Sequence, residues 1–162
     1  MPAGLDGATE WVDTPARRAV LAHLTAEVLA RLPGLGRPLL VGIDGEAGSG
    51  KSTLADELSA SIEASGPAVL RASIDSFHRP RPERLARGAW SPVGYYEDSH
   101  QLGRFRSLLL PPAHAGRPVV TEVFDEPTDS PIEPEPRSVA GVQRCWSTDC
   151  SCCARSWRQR GI

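Results

Sequence analysis

An α/β fold around a parallel sheet is what this sequence predicts, on three observations. A short apolar run, "PLLVGID" (residues 38–44), opens into a glycine-rich turn and an amphipathic helix. A second apolar run, "AVLRASID" (residues 68–75), follows within about forty residues of the first. Runs of this kind, apolar without strict alternation, suit strands buried on both faces, and a strand–helix–strand unit of that length joins parallel neighbours by a crossover.

The elements follow in order. In "DTPARRAVLAHLTAEVLARLPG", Asp13 or Thr14 can cap a helix, Pro15 suits its first turn, and Pro33-Gly34 stop it. Val20, Leu21, Leu24, Val28 and Leu32 fall on one stripe, so the helix is amphipathic, with His23 beside the stripe at the surface. In "STLADELSASIEASG", Leu54, Leu58 and Ile62 recur at helical spacing before Gly66. Beyond Ser76 the chain turns irregular: "PERLARG" is a short helix, "AWSPVGYYED" a loop with exposed aromatics, and "SHQLGRFRSLLLPP" a helix ended by Pro111-Pro112. "PVVTEVFDE" alternates like a half-buried strand, and "EPTDSPIEPEPR" is a turn-rich connection.

Bulk composition narrows the function classes. With 162 residues, 40% of them hydrophobic and 23% charged, the chain has the make-up of a soluble globular domain. A net charge of −2 disfavours nucleic acid and membrane surfaces as partners, since both want a basic face. No apolar run is long enough to span a bilayer, and the opening "MPAGLDGATEWVD" lacks the charged and apolar regions of a signal peptide, so a cytoplasmic location is expected.

"GEAGSGKS" (Gly45–Ser52) matches G-x-x-x-x-G-K-[ST], and it lies between an apolar strand and a helix, where such a phosphate cradle belongs. Gly45, Gly48 and Gly50 allow the turns that aim successive N–H groups inward, with Glu46, Ala47 and Ser49 completing the loop and Thr53 following it. The start of the next helix adds its positive field. Lys51, the only lysine among 18 Lys and Arg residues, supplies a mobile charge toward the β- and γ-phosphates. The Ser52 hydroxyl can ligate Mg²⁺. The motif predicts a P-loop NTPase-type three-layer fold with ATP or GTP and Mg²⁺ as cofactors. Asp75, at the carboxyl end of the second strand, is placed to take a proton from an acceptor hydroxyl; capping the next turn is its alternative role.

Four blocks in order, "VGIDGEAGSGKSTLADEL", "IDSFHRP", "RGAWSPVGYYEDS" and "LLLPP…VVTEVFDEPTD", resemble the uridine kinase family of P-loop kinases in its bacterial form, over roughly residues 38–142. The resemblance implies that Asp75 is the catalytic base. It also implies that Phe77, His78, Arg79, Tyr95, Tyr96 and Asp98 lie where the family shapes its nucleoside pocket. Glu126-Pro127 depart from the family, where a basic or aromatic residue is expected.

All four cysteines, at 145, 150, 152 and 153, crowd into the C-terminal "RCWSTDCSCCARSWR". A zinc site and a disulfide cluster are two readings; C-x₄-C-x-C-C lacks the paired spacing of the first, and a cytoplasmic setting disfavours the second. A third reading is translation out of frame. Cys and Trp codons begin TG, so one base earlier they become xTG, which encodes Leu, Val or Met. With suitable codons, Cys145–Arg158 read in that frame give Val-Leu-Val-Asp-Gly-Leu-Phe-Leu-Leu-Arg-Pro-Glu-Leu-Ala, in which the codons of Trp146, Cys150 and Cys153 admit only Leu. The string resembles the third strand of the family, and loss of one C after the Val142 codon accounts for the shift.

The expected organisation is therefore an N-terminal helix and linker (residues 1–37), a P-loop kinase domain incomplete in its C-terminal half (38–142), and an aberrant, disordered tail (143–162). The expected activity is ATP-dependent phosphorylation of a nucleoside 5′-hydroxyl, with nucleotide and nucleoside as partners. The missing strand would have buried roughly 10 kcal/mol of apolar side chains, against a usual net stability of about 5–15 kcal/mol. The isolated chain is accordingly expected to be partly folded and essentially inactive. The alternatives are a P-loop kinase for another small hydroxyl acceptor, and an ATP-binding pseudo-enzyme with a metal-binding Cys tail.

Overall fold

The computed structural model describes residues 13–139, so the cysteine-rich tail and the frame break expected near Val142 lie outside the described residues. Helix α1 spans Pro15–Ala30. The Thr14 hydroxyl caps it by accepting from the Arg17 N–H at 3.1 Å, and Pro15 fills a first-turn position whose N–H has no partner within the helix. Helix α2 spans Lys51–Glu63 and begins from Gly50 in the left-handed conformation, φ 82°. The two helices pack together. Val28 meets Leu58 and Ile62, with Leu21, Leu24 and Leu29 partly buried at the margin. Polar edges tie the pair: Arg17 donates to both Glu57 carboxylate oxygens, at 2.8 and 3.1 Å, and the Thr25 hydroxyl to that of Ser61 at 2.9 Å. Val20, expected on the apolar stripe, is exposed.

The side chains of residues 39–43 alternate as a strand buried on two faces should: Leu39, Val41 and Ile43 pack on the α1–α2 cluster, and Leu40 on the second core. Val69 and Leu70 divide in the same way. Neither run is a paired strand, however; residues 38–44 carry no ladder, and 68–75 only a single bridge residue at Ala68. The sheet among the described residues is antiparallel and two-stranded, β1 (Phe124–Asp125) with β2 (Ser130–Pro131), in the register Phe124↔Pro131 and Asp125↔Ser130. The expected three-layer fold on a parallel sheet, incomplete at its C-terminal half, is met in part: the described residues are α/β, but no parallel ladder forms among them. Side-chain burial follows from the local apolar pattern, whereas a parallel strand exists only through bonds to distant neighbours. Within 13–139 no segment supplies them.

The second core is the larger. A 3₁₀ turn, Ile74–Phe77, follows the 68–73 run, with the Ser73 hydroxyl accepting from the Asp75 N–H at 3.2 Å. Asp75 thus sits in this turn and not at a strand end. Ile74 and Phe77 have no exposed surface, and Phe77 meets Phe105 edge-on at 5.3 Å between centroids. Leu109, Ala113, Val119, Val123, Phe124 and Val139 close the cluster.

The helices that carry it depart from expectation at prolines. Short α3 (Arg81–Arg84) forms as expected. The "SPVGYYED" segment is a helix, α4 (Pro92–Asp98), and not a loop, because Ser91 caps it through a bond from the Gly94 N–H at 3.1 Å and Pro92 starts it. Helix α5 (Leu102–Leu108) does end early, but Pro111 and Pro112 fall in the first turn of a further helix, α6 (Leu110–His114), where proline is tolerated. The 118–126 segment is buried at Val119, Val120 and Thr121 in succession, so it does not alternate as a half-buried strand. Val119 bridges Arg137 there.

Candidate active site

The glycine-rich turn is built by local conformation. Gly48 and Gly50 have φ of 74° and 82°, values that side-chain-bearing residues rarely adopt. A Cβ on Gly45 would come within 3.0 Å of the Ser49 hydroxyl oxygen. The loop is closed by the Ser49 N–H donating to the Glu46 carbonyl at 3.2 Å. Lys51, only 7% exposed, turns its Nζ back to that same carbonyl at 2.6 Å. Asp44, just before the turn, accepts from the Gly45 N–H at 2.9 Å. Glu46, Ala47, Gly48, Ser49 and Ser52 are exposed, whereas Thr53 is half-buried. A cleft of about 460 Å³ opens here, lined by Asp44, Ser49, Lys51 and Thr53, with Arg17 of α1 across from them.

The His100 side chain, Nε2 at 3.5 Å from Asp75 Oδ1, is the largest influence and pulls the carboxyl below its ordinary range. Partial burial opposes that shift, and the charges of His78, His100 and Lys51 add to it. His78 touches the Asp75 carbonyl oxygen through Nδ1 at 2.8 Å, and its ring lies 4.3 Å from that of His100. Burial, then the neighbouring His100, push the His78 pKa down.

His100 is the residue sequence reading missed. It is brought to Asp75 by antiparallel pairing of two short segments. The Arg79 N–H donates to the Ser99 carbonyl at 2.9 Å, the Gln101 N–H to the Phe77 carbonyl at 2.7 Å, and the Gln101 side-chain amide to the His78 carbonyl at 2.7 Å. A histidine in the same short polar stretch as Asp98 was the available signal, but nothing local reports which residue it faces.

The other expected site residues are distributed differently. Phe77 is a core residue: its ring is spent against Phe105 and has no surface to offer a substrate. Arg79 lines a separate cleft of about 540 Å³ with Gln101, Arg104 and Asp129. Tyr95 and Tyr96 stand on α4, 59% and 42% exposed. The Asp98 carboxylate is held by Arg87 at 3.0 Å, a partner that makes it part of the α4 surface. The departure noted at Glu126 has a local explanation, since Glu126 and Asp129 both pair with the largely buried Arg84, at 3.0 and 3.4 Å.

No protein-family model matches the chain, and comparison with curated proteins returns no match. The solved structures it resembles include three described as kinases. One is a possible uridine kinase from Bacillus stearothermophilus, at TM-score 0.70 and 23% identity, over 81% of this chain and 70% of that one. Another is described as a fructose transport system kinase from Silicibacter sp., at TM-score 0.60 and 26% identity, over 79% and 62%. A third is D-glycerate 3-kinase from Cryptococcus neoformans, at TM-score 0.55 and 13% identity, over 84% and 52%. The likeness establishes a shared fold. The chain spans about half to two thirds of the length of the second and third of these proteins. None of its described helices is long and apolar enough to cross a membrane.

Proposed function

We propose that the described residues form the phosphate-binding and acceptor-orienting parts of an ATP-dependent kinase whose acceptor is a nucleoside 5′-hydroxyl. The observation that carries the reading is the glycine turn itself, with Gly48 and Gly50 at φ 74° and 82° and Lys51, at the head of α2, folded back onto the Glu46 carbonyl. Asp75, in the 3₁₀ turn that follows the second apolar run, is the carboxylate assigned to the acceptor.

The residues fit a nucleotide. The turn has the left-handed glycines of an anion cradle, and α2 adds thirteen residues of aligned peptide dipole behind it. The amides of residues 45–52 and the Lys51 ammonium would hold the phosphates, and the Ser52 hydroxyl would help hold Mg²⁺, which when bound neutralises charge on the transferring group. To do so Lys51 must leave the Glu46 carbonyl. Asp75, its pKa lowered, stays ionised through the neutral range; it accepts a hydrogen bond from the attacking hydroxyl and fixes its line of approach. A weak base suffices because the transition state of phosphoryl transfer is loose and positioning carries most of the catalysis.

The openness of Tyr95 and Tyr96 favours a second reading, in which the acceptor is a smaller hydroxyl compound that needs no stacking surface. The glycerate and fructose names among the similar structures point the same way.

The test uses this chain and a variant with one base restored after the Val142 codon. Both are expected to bind ATP in a Lys51-dependent way. Transfer to a nucleoside is expected from the restored chain and should fall about 10²–10⁴-fold in Asp75→Asn. ATP binding indifferent to Lys51→Ala, or transfer indifferent to Asp75→Asn, would remove the reading. Turnover of glycerate or a sugar but no nucleoside would select the second one.

A further inference from the structure

Asp75, His78 and His100 bring one carboxylate oxygen and one ring nitrogen from each histidine within 4.8 Å of one another. We propose that these three residues form a binding site for a transition-metal dication of the Zn²⁺ class.

Three features of the geometry support it. The 3.5 Å between His100 Nε2 and Asp75 Oδ1 is long for a hydrogen bond between nitrogen and oxygen. It is close to the edge of a tetrahedron with metal–ligand bonds of 2.0–2.1 Å, which is about 3.4 Å. The ligands are also held before any ion arrives. The backbone segments that carry His78 and His100 are paired, and the Nδ1 contact of His78 with the Asp75 carbonyl steadies its ring. His100 forms a buried floor, 6% exposed, and Asp75, with 54% of its side chain exposed, leaves the way in from solvent.

Donor chemistry selects the ion. Two imidazoles and one carboxylate suit Zn²⁺, Ni²⁺ or Cu²⁺ and not Mg²⁺, which wants oxygen ligands in octahedral array. Three protein ligands leave a fourth position for water or another small ligand. The site is distinct from the Ser52 hydroxyl proposed for Mg²⁺, and an ion here occupies the carboxylate assigned to the acceptor hydroxyl. Resting on the kinase reading, it follows that Zn²⁺ blocks phosphoryl transfer by competing for Asp75.

The test must keep the terminal thiols out of the measurement. The full chain carrying Cys145→Ser, Cys150→Ser, Cys152→Ser and Cys153→Ser is titrated with Co²⁺, followed by visible absorption, and then with Zn²⁺. One equivalent of Co²⁺ with the intense bands of a tetrahedral ion, displaced by Zn²⁺, is expected. Affinity should fall at least about 10–100-fold in His78→Asn and in Asp75→Asn, the loss that even an outer-sphere change brings. Both positions are partly exposed, so these variants keep the test open if His100→Asn fails to fold; far-UV circular dichroism reports that. No stoichiometric binding by the cysteine-free chain, or binding unchanged in His78→Asn, overturns the proposal. Stoichiometric zinc on the chain with one base restored after the Val142 codon, with unimpaired phosphoryl transfer, supports the metal site and removes only the role given to Asp75.

Discussion

Around Asp75 the protein is closed, and around the glycine turn it is open. The turn that bears Asp75 is flanked by Ile74 and Phe77, both without exposed surface, and they sit in a cluster drawn from five stretches of chain. Behind the glycine turn, the α1–α2 cluster buries only Val28, Leu58 and Ile62, while Leu39, Val41, Ile43 and Val69 remain partly exposed. The Asp75 turn is thus held by tertiary packing. The glycine turn is held by its own glycine conformations, its helix and one charged hydrogen bond. Two halves of the proposed site can depend on forces of different range.

Cutting a large side chain from each core tests that contrast most directly. Phe77→Ala should cost about 3–5 kcal/mol of stability, because the ring is enclosed and its Phe105 partner loses an edge contact. Leu58→Ala should cost less, about 2–3 kcal/mol, since its partly exposed neighbours can relax into the space. Urea unfolding of both variants measures the pair, and equal losses would dissolve the distinction. A smaller effect is expected at Gly48. A methyl group there meets nothing within 4 Å, so Gly48→Ala exposes backbone strain alone, about 1–2 kcal/mol, with nucleotide affinity falling alongside.

The smallest effect is one of pH. His78 titrates below its ordinary range in the folded chain, so the unfolded chain binds the proton first as pH falls. Stability present at neutral pH is lost as pH drops from about 6.5 through the folded value. The depressed Asp75 adds a second loss of the same sign at lower pH. Thermal midpoints measured from pH 7.5 downward should show a first decline that His78→Asn flattens, leaving the later one in place.

Features set by near neighbours in sequence were legible in it. The glycine turn, Lys51, α2 with Leu58 and Ile62, and the cap at Thr14 each depend on a few consecutive residues. Legibility failed where the deciding partner was remote. Residues 38–44 have the apolar pattern of a strand, and their side chains divide between two cores as a strand's would, yet a ladder requires neighbours that pattern cannot supply. The family resemblance implied a pocket role for Phe77, and only Phe105 shows that it is core. His100 went unnoticed because its place beside Asp75 is set by backbone pairing across twenty-odd residues. The α4 helix was an avoidable miss, since Ser91-Pro92 is a start signal in its own right.

The Lys51 ammonium bound to the Glu46 carbonyl has one more consequence. Any oxyanion that recruits this ammonium must replace a charge-assisted bond of about 1.5–3 kcal/mol. A lone oxyanion touching a few amides starts at that disadvantage. An anion that also engages several amides of the turn offsets that cost more readily than one that meets the ammonium alone.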